Sequence, residues 1–150
     1  KRLLNTDFHF LFVGKQQQES LSIIKNYNLK NVTIVEELPH SDLERIYPFL
    51  DLGLILYKGI DDNFEYCAPN KLYEYWAYGV PVLSNNLKGL MHVYTNKCLG
   101  QAINMDNIDV FTNSLVKEVQ NNSKETIINN FNKDKKLTVY LKKLKERLND

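Results

Sequence analysis

The chain has 150 residues, 43% of them hydrophobic and 25% charged, with a formal net charge of +1. That length supports one domain with a proper core, and the composition is ordinary for a soluble globular protein. A near-neutral chain has neither the basic excess of a nucleic-acid binder nor an acidic tail, and no apolar run approaches the ~20 residues that span a bilayer.

Cys67 and Cys98 have no partners at zinc-site or redox spacing, and they fit a reducing, cytosolic setting. The chain opens at Lys1 with neither a methionine nor a signal peptide, which suggests an excised piece of a longer protein.

In chain order, the aromatic-rich apolar run FHFLFV at 8–13, bounded by Gly14, reads as a buried strand. Residues 19–27 place Leu21, Ile23, Ile24 and Tyr27 at helical spacing. NVTIV at 31–35 is a second strand. Ser41, with Glu44 three residues on, has the pattern of a capping box, and Pro48 ends or kinks the helix it opens. DLGLILY at 51–57 is a third strand, and a polar loop follows over 58–68. A helix then starts at Lys71 and is closed by Gly79 and Pro81. Residues 80–84 form a fourth strand. Residues 92–102 are ambiguous, with a fifth strand over 98–102. An amphipathic helix covers 108–120 with Val110, Leu115, Val116 and Val119 on its apolar face. Residues 123–149 are helical and basic, carrying the stripe Leu137, Leu141, Leu144 and Leu148; the asparagine-rich patch at 121–132 reads as a helix-to-helix connection.

Strands alternating with helices predict an α/β fold, a Rossmann-like parallel sheet with helices on both faces. Ligands of such sheets bind at the carboxyl ends of the strands. The loops at those ends are 14–18, 36–40, 58–68 and 84–90.

The helix after Pro69 is unusual in its charge. With Asn70 as N-cap, Lys71 takes the first helical position and Glu74 the fourth, one place too late for a capping box. A cation at the first position opposes the helix dipole, at a cost of up to ~1 kcal/mol. A bound anion would reverse that, because free amides at a helix N-terminus bind phosphate and a lysine adds a point charge. Glu74, one turn in, would then accept hydrogen bonds from paired hydroxyls such as those of a ribose. The alternative is plain: a first-turn lysine swings into water at little cost, and a glutamate there is favourable with no ligand.

PNKLYEYWAYGVPVLSNN at 69–86 resembles the nucleotide-sugar motif P-x-K-L-x-E-Y-x-A-x-G-x-P-V in the C-terminal domain of GT-B glycosyltransferases, most closely the retaining family-four group. FHFLFVGK resembles that family's strand ending in Val-Gly, and 31–59 is similar to its following strand, loop, helix and strand. The resemblance covers about residues 8–90. It implies a single donor-binding domain over 1–150, the C-terminal half of a GT-B fold truncated at its N-terminus. It further implies transfer of a sugar from a nucleoside diphosphate sugar to an acceptor hydroxyl in glycan or polysaccharide biosynthesis. On this resemblance Glu74 binds the ribose hydroxyls, and the amides of Asn70, Lys71 and Leu72 hold the diphosphate. Glu37, Leu38 and Pro39 line the base pocket, and Lys15 faces the phosphates.

Two features depart from the family pattern. The first glutamate of its E-x7-E motif falls on Tyr66, with Glu65 one residue early. The family's domain opens with a further strand and a loop whose Arg and Lys clamp the diphosphate, whereas here only KRLLNTD at 1–7 precedes FHFLFVG and reads as the tail of the first helix. The implied partners are the nucleoside diphosphate sugar and an N-terminal acceptor-binding domain, with no nucleic acid. The implied location is cytoplasmic, with any contact to the inner face of the membrane left to the full-length enzyme, and the fragment alone is expected to lack turnover.

No metal or other cofactor is expected. His9, His40 and His92 are scattered, with no H-E-x-x-H pairing. His9, inside an apolar strand, reads as structural. Ser84 lacks the G-x-S-x-G elbow, and Gly14 lacks a G-x-G-x-x-G fingerprint. Asp61, Asp62 and Glu65 read as a solvated acidic loop, and Tyr75 and Trp76 as core. The basic stretch KDKKLTVYLKKLKERL reads as a solvated face over a packed leucine stripe rather than a lipid contact. Two alternatives stand beside the transferase: a nucleotide-sugar epimerase on the same scaffold, and a non-catalytic α/β interaction module.

Overall fold

The computed structural model describes residues 8–15, 18–57, 62–94, 100–104, 107–121 and 123–132. The chain is α/β, and among the described residues every strand pairing is parallel. It divides between Ile46 and Tyr47 into two compact units.

The first unit holds β1 (Phe10–Val13), α1 (Gln18–Asn26), β2 (Val32–Val35) and α2 (His40–Ile46). β1 and β2 form a two-stranded sheet in the register Phe10↔Val32 to Val13↔Val35. His9 Nε2 and Thr33 Oγ1, 2.7 Å apart, tie the start of β1 to its neighbour. The expected burial of the first strand is not found: Leu11 is 37% and Phe12 42% exposed. Successive strand residues point to opposite faces, so their joint exposure leaves apolar surface on both sides of β1. The capping box at Ser41 is also not formed. α2 begins one residue earlier, the Pro39 carbonyl accepts from the Asp42 and Leu43 amides, and Glu44 lies 3.4 Å from His40.

The second unit starts with a 3-10 turn, Tyr47–Phe49, which carries Pro48 as expected. It continues through β3 (Gly53–Ile55), α3 (Asp62–Tyr66), α4 (Asn70–Ala77), β4 (Val82–Asn85), α5 (Lys88–Tyr94), β5 (Gly100–Ile103), α6 (Ile108–Asn121) and α7 (Lys124–Asn132). Its sheet runs β3-β4-β5, with Gly53↔Val82 and Val82↔Gly100 opening the two ladders. The expected single sheet is therefore resolved into separate two- and three-stranded sheets.

β4 is central and reads as a continuous apolar run because it is covered throughout: Val82, Leu83 and Ser84 are buried. Ile55 and Val82 pack with Leu72 and Trp76 of α4 and with Ile127 and Phe131 of α7. Trp76 meets Tyr73 edge-on, centroids 5.8 Å apart, and lies 6.4 Å from the Phe131 ring. At the end of α4, Gly79 takes the left-handed conformation at φ 72°. Its amide donates to the Trp76 carbonyl, and the Val80 amide donates to the Tyr75 carbonyl. Those are the two bonds of a Schellman cap, as Gly79 predicts.

Three expectations are corrected here. The loop over 58–68 contains α3, and the loop over 84–90 runs into α5, two helices of 5 and 7 residues that are too short to show a period. The asparagine-rich patch is not a connection, because α7 takes up its residues 124–132, in agreement with the helix read from 123 onward. Ile127 and Phe131, four apart, bury one face, while Asn129 and Asn132 stay exposed. Ser123 caps it, its hydroxyl accepting from the Thr126 amide at 3.2 Å. The expectations for 1–7, for 58–61 (Asp61 included), for 95–99 and for the leucine stripe Leu137–Leu148 lie outside the described residues.

Candidate functional site

β3 and β4 run parallel, so the helix that joins them must travel back, and α4 begins on the side where β3 ends. Pro69 precedes it at φ −68°, ψ 150°, the extended conformation a proline readily takes. Asn70 is the first helical residue and not the cap, a correction to the sequence reading. Pro69 holds the cap position, no side chain caps the first turn, and the Leu72 amide donates back to the Pro69 carbonyl at 3.0 Å. Lys71 therefore moves to the second helical position.

Asn70 and Lys71 are exposed. Leu72 is fully buried and its amide is already bonded to the Pro69 carbonyl, so the expected diphosphate contact from Leu72 is not supported, and the amides of Asn70 and Lys71 remain for a ligand. Glu74 is half-buried one turn further on, and one of its carboxylate oxygens accepts the Tyr47 hydroxyl at 2.7 Å. These four predicted residues share one helix. Glu65 sits on α3 in the same unit, 3.7 Å from the Lys88 ammonium, which also donates to the Tyr66 hydroxyl at 3.1 Å. Hydrogen bonding to Tyr66, with Glu65 close by, pushes the Lys88 ammonium up from its ordinary value of 10.5. α3 and α5 meet closely, since a Cβ at Gly89 would strike the carbonyls of Tyr66 and Cys67.

The remaining predicted residues belong to the first unit. Lys15 is exposed just past β1, and Glu37, Leu38 and Pro39 lie between β2 and α2. Because Val13 pairs with Val35 in a parallel ladder, both segments leave the same edge of that sheet. Glu37 and Pro39 are exposed and Leu38 is half-buried. Among the described residues no cluster of three His, Cys, Asp or Glu side chains could hold a metal. No described helix is long and apolar enough to cross a membrane.

Three polar residues of the second unit escaped the sequence reading. Tyr47 is 6% exposed, with its ring edge-on to Tyr75 at 5.5 Å and tilted against Tyr78 at 5.4 Å. Asn85 uses its carboxamide twice on one residue, accepting from the Tyr57 amide at 3.1 Å and donating to the Tyr57 carbonyl at 2.7 Å. Lys88 holds α3 as described. Only Asn85 left a sequence signal, a polar residue closing an otherwise apolar strand; Tyr47 and Lys88 find partners 27 and 22 residues away.

No protein-family model matches the chain, and a search of curated proteins finds no match either.

The tyrosines give this region a pH dependence. Burial pushes the phenols of Tyr47, Tyr57 and Tyr75 above their ordinary value of 10.0, and Glu74 adds to the effect at Tyr47 and Tyr75. A raised folded-state value favours the protonated folded form, so this contribution is complete below pH 10.0 and is lost as the pH rises through the higher folded values. In an alkaline titration we expect stability to fall above that point, with part of the tyrosinate absorbance appearing only as the chain unfolds. A single early absorbance step in the folded protein would contradict this.

Proposed function

We propose that this chain is a donor-binding region of a GT-B glycosyltransferase, which holds a nucleoside diphosphate sugar whose sugar passes to an acceptor hydroxyl. The observation that carries the reading is the segment PNKLYEYWAYGVPV. Its helix starts beside the end of a parallel strand with no side-chain cap on its first turn, and it presents Lys71 there with Glu74 one turn in. Uncapped amides and a lysine suit a diphosphate. In the reaction they would stabilise the charge that builds on the leaving diphosphate. Glu74, accepting from the ribose hydroxyls, would fix the donor and hence the position of the sugar. Glu65, on α3 of the same unit, would contribute contacts with the sugar. No metal enters this scheme. The full enzyme would work in the cytoplasm with an acceptor-binding domain.

The test is a thermal-shift titration with UDP, GDP, ADP and CDP at millimolar concentration. A ligand at ~100 times its Kd adds ~2.7 kcal/mol of stability, a plain shift for a chain of this size. We expect one base to be preferred, and Glu74→Ala to weaken its binding about tenfold to a hundredfold, the cost of losing hydrogen bonds to a charged group. An unchanged affinity in Glu74→Ala would remove Glu74 from the site. The Tyr47–Glu74 hydrogen bond gives a second reading some support, that of a non-catalytic module in which Glu74 is a structural residue. It predicts no shift with any of the four nucleotides.

A further inference from the structure

We propose that Tyr47 is a positioning residue, whose buried hydroxyl orients the Glu74 carboxylate to receive the paired hydroxyls of a ribose. The inference rests on the nucleotide reading above. Tyr47 comes from the turn that leads into β3, Glu74 from the second turn of α4, and the bond between them is 2.7 Å long. A glutamate side chain in that position has several rotamers open to it, whereas binding two adjacent hydroxyls needs one orientation of the carboxylate.

The Tyr47 ring supplies a fixed point. It is 6% exposed and packs against the rings of both Tyr75 and Tyr78, so its hydroxyl has little freedom of its own. Burial and the adjacent carboxylate push the phenol up, which keeps it a neutral donor throughout the physiological range. A carboxylate offers about four lone-pair positions, and the Tyr47 hydroxyl takes one of them. Tyr47 would act on a ligand only through Glu74, and that separates it from a residue that merely ties α4 to its turn.

The experiment compares two affinities. The probes are the preferred nucleoside diphosphate among UDP, GDP, ADP and CDP, and its 2′,3′-dideoxy analogue, titrated into the wild-type chain and Tyr47→Phe. We expect the wild type to favour the diol by about tenfold or more, the scale of one well-placed pair of hydrogen bonds. In Tyr47→Phe that preference should fall several-fold, while the affinity for the dideoxy analogue stays as it was. A preference equal to the wild type's would overturn the role of Tyr47 and leave the nucleotide reading standing. A wild type that binds both probes equally, or binds neither, would overturn the nucleotide reading itself, and the inference with it. Should Tyr47→Phe fail to fold, Glu74→Asp keeps the ring packing and draws the acid back from the hydroxyl by one carbon. It should lose the same preference, and an undiminished preference there overturns the inference.

Discussion

Trp76→Ala is expected to destabilise the chain by about 3–5 kcal/mol, the range for removing a buried large aromatic side chain. Trp76 is 2% exposed and joins α4 to the sheet on one side and to α7 on the other. The loss combines transferred apolar area with a cavity lined by Tyr73 and Phe131. α7 buries Ile127 and Phe131 in the same cluster as Trp76, so it should loosen first. Urea unfolding followed by far-ultraviolet circular dichroism measures the total, since the substitution removes the chain's one tryptophan and with it the fluorescence signal. Amide exchange over 124–132 measures the local part. A cost under about 1 kcal/mol would mean that the cavity collapses completely, which close-packed cores rarely allow.

Gly100→Ala should cost about 3 kcal/mol or more, and for a different reason. Gly100 opens β5 at φ 140°, where an L side chain is strained, and a Cβ there would collide with the Val82 carbonyl oxygen of β4. Backbone strain alone is worth about 1–3 kcal/mol. The collision is with main chain, so relief requires β5 to shift along or away from the central strand. We therefore expect lower stability together with reduced amide protection at 100–103. A substitution that left both unchanged would show that the β4–β5 ladder can re-register freely, contrary to the fixed pairing of Val82 with Gly100.

The alternation of parallel strands with helices was legible because it is written locally. NVTIV, VPVLS and the Gly79 cap are short-range signals, and each appears close to where its pattern puts it. Several of the failures have a cause that lies far away in the chain. α3 and α5 are 5 and 7 residues long, and their close contact requires Gly89, whose role depends on the Tyr66 and Cys67 carbonyls. α7 looks like a linker until Trp76 is there to receive Phe131. At the site, the residue types of the α4 start could be read from PNKLYE, whereas the one-residue shift of its cap from Asn70 to Pro69 could not. Helix starts are uncertain by about that much, because proline's extended conformation and asparagine's capping habit compete for the same position. Glu74 stood out by its sequence position, but its partner Tyr47 was hidden 27 residues upstream among the aromatic residues of an ordinary apolar segment.

Asn85 sets a limit on how this protein can age. Its carboxamide serves one peptide unit with both polarities, giving the ladder an extra rung at Tyr57, beyond the last backbone pair of β3 and β4. Slow hydrolysis of that amide, the usual chemical wear of asparagine, would replace a donor by a second acceptor and set it against the Tyr57 carbonyl oxygen. Repulsion would then part the end of β3 from β4 at the point where the chain leaves for α3. Stored material that gains one negative charge at Asn85 should fray there before it unfolds anywhere else.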